Sequence, residues 1–424
     1  MDSGRAPSRP KQARCLSTAG TEPGRYRRAD TVQTTRRLVQ LAFLTLTLVG
    51  VFVARGHAER WCPLGGVEAL YTYGRDGDLI CSLGVSNFYI LGGLLVMTLV
   101  VRRAFCGYMC PIGTISEWLQ GVARRFRLQP LRVPSRLDRV LALLKYPVLG
   151  VILYFTWRLG ELVFRGYDPC YALISRHGTD IQVWAYVISG AIGLASLIVM
   201  VPFCRWLCPL AAVLSPFSRF GLARIQRDDE KCSACGVCSR ACPMAIPVDE
   251  VTQVTAARCT ACLECVATCP KRREGALRWG PPRVLGGRWP QVVLIAVLVI
   301  CVGGAVAATY VFPLPSFIRT FGDAPARTAA VELRVGGVNC RHGTEQFVAY
   351  LRRDDEYRLR GYLRVEAWPE PDQPAAVRIT FDPSATSDPA IKRAISEPYY
   401  DAANDAWKFS AYRIAGYDPL TAAE

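Results

Sequence analysis

Five apolar stretches dominate the sequence, at residues 38–53, 83–101, 140–157, 181–201 and 292–312. Each approaches or reaches the ~20 residues that an α-helix needs to cross a bilayer. A buried soluble helix is the poorer reading of any one of them, because each has four similar companions. Some 37 polar, basic residues precede the first, and no small-residue cleavage site follows, so it does not read as a cleaved signal peptide. Lys and Arg are spread unevenly between the stretches. Residues 1–37 carry nine, 102–139 eight and 202–290 thirteen, against three each in 54–82 and 158–180. Basic loops stay cytoplasmic, which predicts an N-terminus inside and a C-terminal segment outside. Residues 313–424, with fourteen basic and sixteen acidic side chains, are long enough to cross regardless of charge. A net charge of +16 beside a mean hydropathy of +0.17 therefore points to a basic face on membrane lipid, and no nucleic-acid partner is expected.

Eighteen cysteines stand against three histidines, His57, His177 and His342. So few histidines argue against a di-haem membrane cytochrome. Between the fourth and fifth stretches, CSACGVCSRACP and CTACLECVATCP both follow C-x2-C-x2-C-x3-C-P. This is the run of bacterial two-cluster ferredoxins, in which three thiolates wrap one cubane and the fourth serves the other. One [4Fe–4S] cluster is expected on Cys232, Cys235, Cys238 and Cys269, and a second on Cys259, Cys262, Cys265 and Cys242. The fourth cysteine of each run is expected to start a helix leading to the other cube. Zinc ribbons use pairs of C-x2-C rather than triplets with a distal Cys-Pro. Gly236 and the small residues Ala234, Ala241, Ala261 and Ala267 let backbone approach the cubes. No phosphate loop, flavin motif or nucleophile–base set stands out, so neither haem nor flavin is expected and the chemistry is redox.

A shorter motif occurs twice. RRAFCGYMCPIG follows the second apolar stretch and VPFCRWLCPL follows the fourth, so F-C-x3-C-P-[IL] marks two topological halves. Residues four apart share a helical face, which presents two thiols in one direction per motif. Packing the halves together would gather Cys106, Cys110, Cys204 and Cys208 at the cytoplasmic edge of the membrane. Four thiolates suit a third [4Fe–4S] cluster or another thiophilic metal. The alternatives are small residues easing helix packing and a pair of dithiols that shuttle electrons.

FCGYMCPIG and FCRWLCPL beside apolar helices, followed by the two-cluster run, look like the membrane polyferredoxins of the NapH, NosR and FixG/CcoG type, over roughly residues 38–315. The resemblance implies a membrane electron-transfer protein with cytoplasmic clusters, working with redox partner proteins or a quinone. Its branches resemble quinol oxidation for nitrate reduction, electron supply to nitrous-oxide reductase maturation, and cupric reduction during oxidase assembly. This chain departs from each, with no long N-terminal flavin domain as in the NosR type, with a fifth span and outer domain that the NapH type lacks, and with a tail that does not read as the immunoglobulin-like strand series of the FixG type, whose layout it otherwise shares. The expected fold is an α-helical membrane protein of five transmembrane helices in two pseudo-repeats, with an inserted two-cluster ferredoxin module and a small C-terminal α+β domain. The expected divisions are a disordered basic tail (1–36), a four-helix membrane domain (37–220), the ferredoxin module (221–285), a fifth helix (290–313) and an extracytoplasmic domain (325–424). A bacterial inner membrane is the expected location.

Cys62, Cys81 and Cys170, with His57 and His177, fall in expected outer loops. A disulfide is the commonplace reading of the cysteines; a redox or copper site on Cys62, Cys170 and His177 is the sharper one. Residues 330–416 read as β-α-β-β-α-β, from VELRV, TEQFVAYLRR, YLRVEAW, AVRITFD, SDPAIKRAIS and WKFSAYRI. With GVNCRHG in its first loop, that order resembles heavy-metal-associated domains, which implies metal handling by Cys340 and His342 or a docking module that has lost its metal. Cys15 and Cys301 read as incidental. Arg102, Arg103, Arg124, Arg125 and Arg127 fall where anionic head groups would lie.

Overall fold

A computed structural model describes residues 31–53, 61–77, 79, 83–131, 133–159, 162, 165–174, 181–282, 287–338, 341–353, 355–369, 373–401 and 405–418. It divides into two compact units, one comprising Met1–Ala58, Ile90–Thr156 and Val163–Val306, the other Glu59–Tyr89, Trp157–Leu162 and Ala307–Glu424.

All five apolar stretches form helices, but of unequal length. Thr31–Val53, Ser135–Leu159 and Gln291–Val311 are long and apolar enough to cross a membrane. Ser86–Val101 and Val183–Ile198 have sixteen residues each, about 24 Å of helix against a hydrocarbon core of about 30 Å. The first is cut short by the left-handed Arg102 at φ 63° and the second ends on the extended Val199, with Val201 left-handed at φ 42° just before its F-C pair. Within the first unit, small residues bring helices together. A Cβ on Gly93 would lie 2.8 Å from the Cys301 carbonyl oxygen and 2.9 Å from Ala305 Cβ.

The cysteine-rich segment is closed at its base by two antiparallel strands, β1 (Arg224–Arg227) and β2 (Leu277–Gly280), paired from Arg224 opposite Gly280 to Arg227 opposite Leu277. Gln226 pins the far end, its side-chain amide donating to the carbonyls of Gly280 at 3.3 Å and Pro281 at 2.6 Å. The helices between the strands are Val237–Ala241 and Glu264–Ala267. Here the structure corrects the sequence expectation. The fourth cysteine of each run ends its helix and does not start one: Cys242 is the extended cap after Val237–Ala241, and Cys269 follows the cap residue Thr268. The proline after each cannot continue a helix, which is why it closes there.

In the second unit, helix Pro63–Asp76 opens on Pro63 and ends at Gly77 in the left-handed conformation. Only glycine fits that cap, because a Cβ would stand 3.0 Å from the Ile318 carbonyl oxygen. An antiparallel sheet runs in the order β3 (Phe317–Phe321), β5 (Leu363–Trp368), β6 (Ala375–Phe381), β4 (Ala329–Gly336), β9 (Arg413–Ile414). Helix Arg341–Leu351 follows β4, and helix Asp388–Ser396 follows β6. β7 (Tyr399–Asp401) and β8 (Ala406–Lys408) make a separate hairpin. Alternation in β5 and β6 turns Leu363, Val365, Ala367, Val377 and Ile379 inward against Phe347, Leu351, Ile391 and Ile395. Ser387 caps the second helix by accepting from the Ala390 amide. Phe347 is fully buried, so Phe347→Ala is expected to cost roughly 3–5 kcal/mol, read as a lowered denaturant midpoint for this sheet. An unmoved midpoint would show that the site collapses without cost.

Candidate iron–sulfur sites

Two cavities lie between the loops of the cysteine-rich segment. The first is lined by Cys232, Cys235, Cys238 and Cys269 together with Asp249 and Lys271. The second is lined by Cys242, Cys259, Cys262 and Cys265 among Ile225, Met244, Ile246, Val248 and Val254. The two runs thus interleave, each sending its fourth cysteine to the other's space. One cavity is partly polar and the other is apolar.

The loops are shaped alike. Ala234 and Gly236 in the first run, and Ala261 and Leu263 in the second, all have positive φ, between 48° and 69°. Alternating left-handed residues turn successive N–H groups towards the concave side, the arrangement that receives anions. The Ala234 amide already donates to Cys232 Sγ at 3.4 Å. Burial pushes the thiols up, Cys238 to about 11 and Cys262 to about 12, with Cys265 also raised. Such sulfurs become thiolates when a metal displaces their protons. Four thiols around each enclosed space, with amides directed at the sulfurs, fit the donor set that a cubane takes.

The F-C-x3-C-P motifs also converge, but not as one continuous helical face. In the first, Cys106 lies in helix Ala104–Tyr108, whereas Cys110 is the extended N-cap of helix Pro111–Arg125. In the second, Cys204 lies in the π-turn Phe203–Leu207 and Cys208 caps helix Pro209–Arg219. The proline in each motif takes the first helical position, where its missing N–H costs nothing, so the helix must restart there. Cys204 donates to Cys110, which lowers the Cys110 thiol to about 7 and raises Cys204. Burial raises Cys106, and pushes Cys208 up to about 12.

Arg102 and Arg103 do not face head groups. Their side chains are 1% and 0% exposed, whereas Arg124, Arg125 and Arg127 are exposed. The left-handed turn at Arg102 folds both inward. Arg102 donates to the carbonyls of Val254 and, at 2.9 Å, of Ala256, in the loop before Cys259. Arg103 Nη2 reaches Cys106 Sγ at 3.8 Å and the Cys204 carbonyl at 3.3 Å.

Other side chains the sequence did not single out complete this region. The Gly107 carbonyl accepts from Arg36 Nε at 2.9 Å and from Gln40 at 3.0 Å, and Arg36 is ion-paired with Glu117. The other side of Gly107 packs on the second cysteine loop, a Cβ there meeting the Thr260 carbonyl oxygen at 3.0 Å. Asp138 is buried and accepts from Arg205 at 2.6 Å, from Trp206 at 2.8 Å and from Arg258. The signal for it was a lone acid opening an apolar helix.

Cys62 caps helix Pro63–Asp76, its carbonyl accepting from Asn87 at 2.7 Å. Cys170 lies in helix Pro169–Ile174, its amide donating to Asp168 at 2.8 Å. His342 is exposed at the start of helix Arg341–Leu351, 3.0 Å from the Gln346 amide nitrogen. Cys15, His57, Cys81, His177 and Cys340 lie outside the described residues.

A 4Fe-4S binding domain matches residues 83–129 and again 181–227, and a 4Fe-4S dicluster domain matches 224–270. With three helices among the described residues long and apolar enough to cross a membrane, these matches define a membrane protein with 4Fe-4S binding domains. The chain is 31% identical to YccM of Escherichia coli K12 over 52% of this chain and 63% of that protein. It is 30% identical to an uncharacterised protein of Methanocaldococcus jannaschii over 50% of this chain and 83% of that one. It is 27% identical to the ferredoxin-type protein NapH of Escherichia coli K12 over 46% of this chain and 68% of that protein. The chain belongs to this family of membrane-bound, ferredoxin-type polyferredoxins. It spans less than two-thirds of the length of YccM. No solved structure matches.

Proposed function

We propose that the chain is a membrane-bound iron–sulfur electron-transfer protein. The observation that carries this reading is the pair of cavities, each lined by four cysteines drawn from both runs. Cys232, Cys235, Cys238 and Cys269 hold one [4Fe–4S] cluster, and Cys259, Cys262, Cys265 and Cys242 hold the other. When bound, each cluster takes up and gives back one electron. The chain's own part is to wrap the sulfurs in amide donors, to exclude water from the apolar second cavity, and to keep both close to the membrane. Gln33 and Gly107 tie the second loop to membrane helices, Gln33 by donating to the Cys262 carbonyl at 3.2 Å. The names of NapH, a ferredoxin-type protein, and of YccM, which points to electron transport, support the reading.

In this reading all five apolar helices cross a bacterial inner membrane. The basic tail (1–36) and the ferredoxin module (221–285) face the cytoplasm, and the α+β domain (325–424), of ferredoxin-like order, lies outside. The partners are a soluble redox protein or a quinone on one side and an acceptor on the other. A second reading, a cupric reductase serving metalloenzyme assembly, is favoured by the convergence of Cys106, Cys110, Cys204 and Cys208, since thiolates suit copper.

Stopped-flow absorbance separates the two. The anaerobic, dithionite-reduced protein is mixed with a soluble quinone and, separately, with Cu(II). Rapid re-oxidation by quinone and slow re-oxidation by copper is the expected result. Rapid oxidation by copper, lost in Cys106→Ser or Cys170→Ser, would establish the second reading instead. A protein that neither oxidant re-oxidises would sink both.

A further inference from the structure

We propose that Arg36, on the first membrane helix, is a positioning residue for the second [4Fe–4S] site, supplying the buried positive charge that lets this site accept an electron. The proposal rests on the electron-transfer reading above and names what tunes one of its two clusters.

The second site poses an electrostatic problem. Reducing a cubane adds one negative charge, and the potential depends on net charge, hydrogen bonds and solvent exposure. At the first site Cys232, Cys235 and Cys269 are half-buried, and Asp249 and Lys271 stand on its wall. Water and polar groups answer the added charge there. At the second, Cys259, Cys262 and Cys265 are buried and the wall around them is apolar. Such surroundings on their own make an anionic site harder to reduce.

Helix Thr31–Leu48 supplies the answer from outside the cysteine-rich segment. Gln33, Arg36 and Gln40 stand three and four residues apart, on one helical face. Arg36 and Gln40 are 5% and 2% exposed, whereas Leu38, Leu41 and Leu46 of the same helix are exposed. Gln33 donates to the Cys262 carbonyl at 3.2 Å, and Arg36 Nη1 donates to Gln33 Oε1 at 3.3 Å. The same Nη1 lies 4.0 Å from Glu264, which immediately precedes Cys265. Arg36 Nε holds the carbonyl of Gly107, whose other side packs on Thr260 of the second loop. The charge of Arg36 acts on the Cys262 sulfur against the effect of burial. Glu117 pairs with Arg36 and accepts from Gln40 at 2.9 Å, which fixes the guanidinium and offsets part of its charge. A mere strut for the loop would need these hydrogen bonds but not the charge, and the charge is what a potential reads.

The test is an anaerobic redox titration of the full-length protein in detergent, with dithionite as reductant and electron paramagnetic resonance as readout. The second site is the signal that Cys262→Ser changes. Arg36→Gln is expected to move its potential to more negative values and to leave the first site nearly unchanged. Arg36→Lys keeps the charge and should restore most of the wild-type value. Glu117→Gln removes the opposing anion and should move the same potential upward, a change that poor folding does not imitate. Unmoved potentials in Arg36→Gln, or equal shifts at both sites, overturn the proposal. Should Arg36→Gln lose the iron of the second site, an unmoved potential in Glu117→Gln overturns it instead. A wild type without any reducible cubane signal sinks the electron-transfer reading and this proposal with it. Two cubane signals that no charge variant moves sink the proposal alone.

Discussion

Stripping iron from the purified chain is expected to unfold residues 224–280 while leaving the sheet of residues 317–414 folded. The cysteine-rich segment has little else to hold it. Its regular structure is two four-residue strands and helices of five and four residues. Cysteines form part of its own core: Cys238, Cys259, Cys262 and Cys265 are buried beside Met244, Ile246, Val248 and Val254. Four non-glycine residues in it, Ala234, Ala245, Ala261 and Leu263, sit in the left-handed region. Each costs about 1–2 kcal/mol, strain that persists only while something inside the loops requires it. A segment this small relies on its metals, because metal-binding free energy is then folding free energy. The C-terminal sheet, by contrast, has a continuous apolar core. Hydrogen exchange before and after chelation under oxidant would read both regions in one sample. Protection lost across residues 228–276 and kept across β4, β5 and β6 is the expected pattern. Protection retained in the cysteine loops of iron-free protein would show that they fold without clusters.

What the sequence disclosed and withheld follows from the range of each signal. Apolar runs and cysteine spacing are local, so the helices and the grouping of cysteines about each cavity could be written down from them. The α+β segments were equally local: LRVEAW alternates buried and half-buried side chains through β5. Helix ends were less legible. The arginines after Val101 read as head-group contacts because a basic pair at the end of an apolar helix ordinarily is one. The left-handed turn at Arg102, which no pattern announces, sends both side chains inward. The C-x3-C spacing suggested a single helical face, and the proline after each second cysteine was the clue that the helix restarts. Asp138 could not be assigned its role at all, because its partners lie 67 to 120 residues away.

That aspartate carries the other large effect. Asp138→Ala is expected to cost roughly 3–5 kcal/mol, the usual consequence of removing one member of a buried ion pair. Its side chain is 3% exposed and Arg205 is 5% exposed, so water cannot replace the carboxylate once it is gone. Its two oxygens serve three side chains: Arg205 and Trp206 from the second F-C-x3-C-P motif, and Arg258, which immediately precedes the ligand candidate Cys259. The loss should therefore be felt twice, as a lower denaturant midpoint for the whole membrane unit and as faster exchange in the loop before Cys259. Asp138→Asn keeps an acceptor for Trp206 while removing the charge, and should cost less, about 1–3 kcal/mol. Arg258→Ala should loosen the loop while leaving the Arg205 pair intact. If Asp138→Ala lowers the midpoint but leaves exchange before Cys259 unchanged, the aspartate braces only the membrane helices. If neither moves, the buried cluster contributes nothing net to the fold, and the cysteine loop is held by Gln33, Arg102 and Gly107.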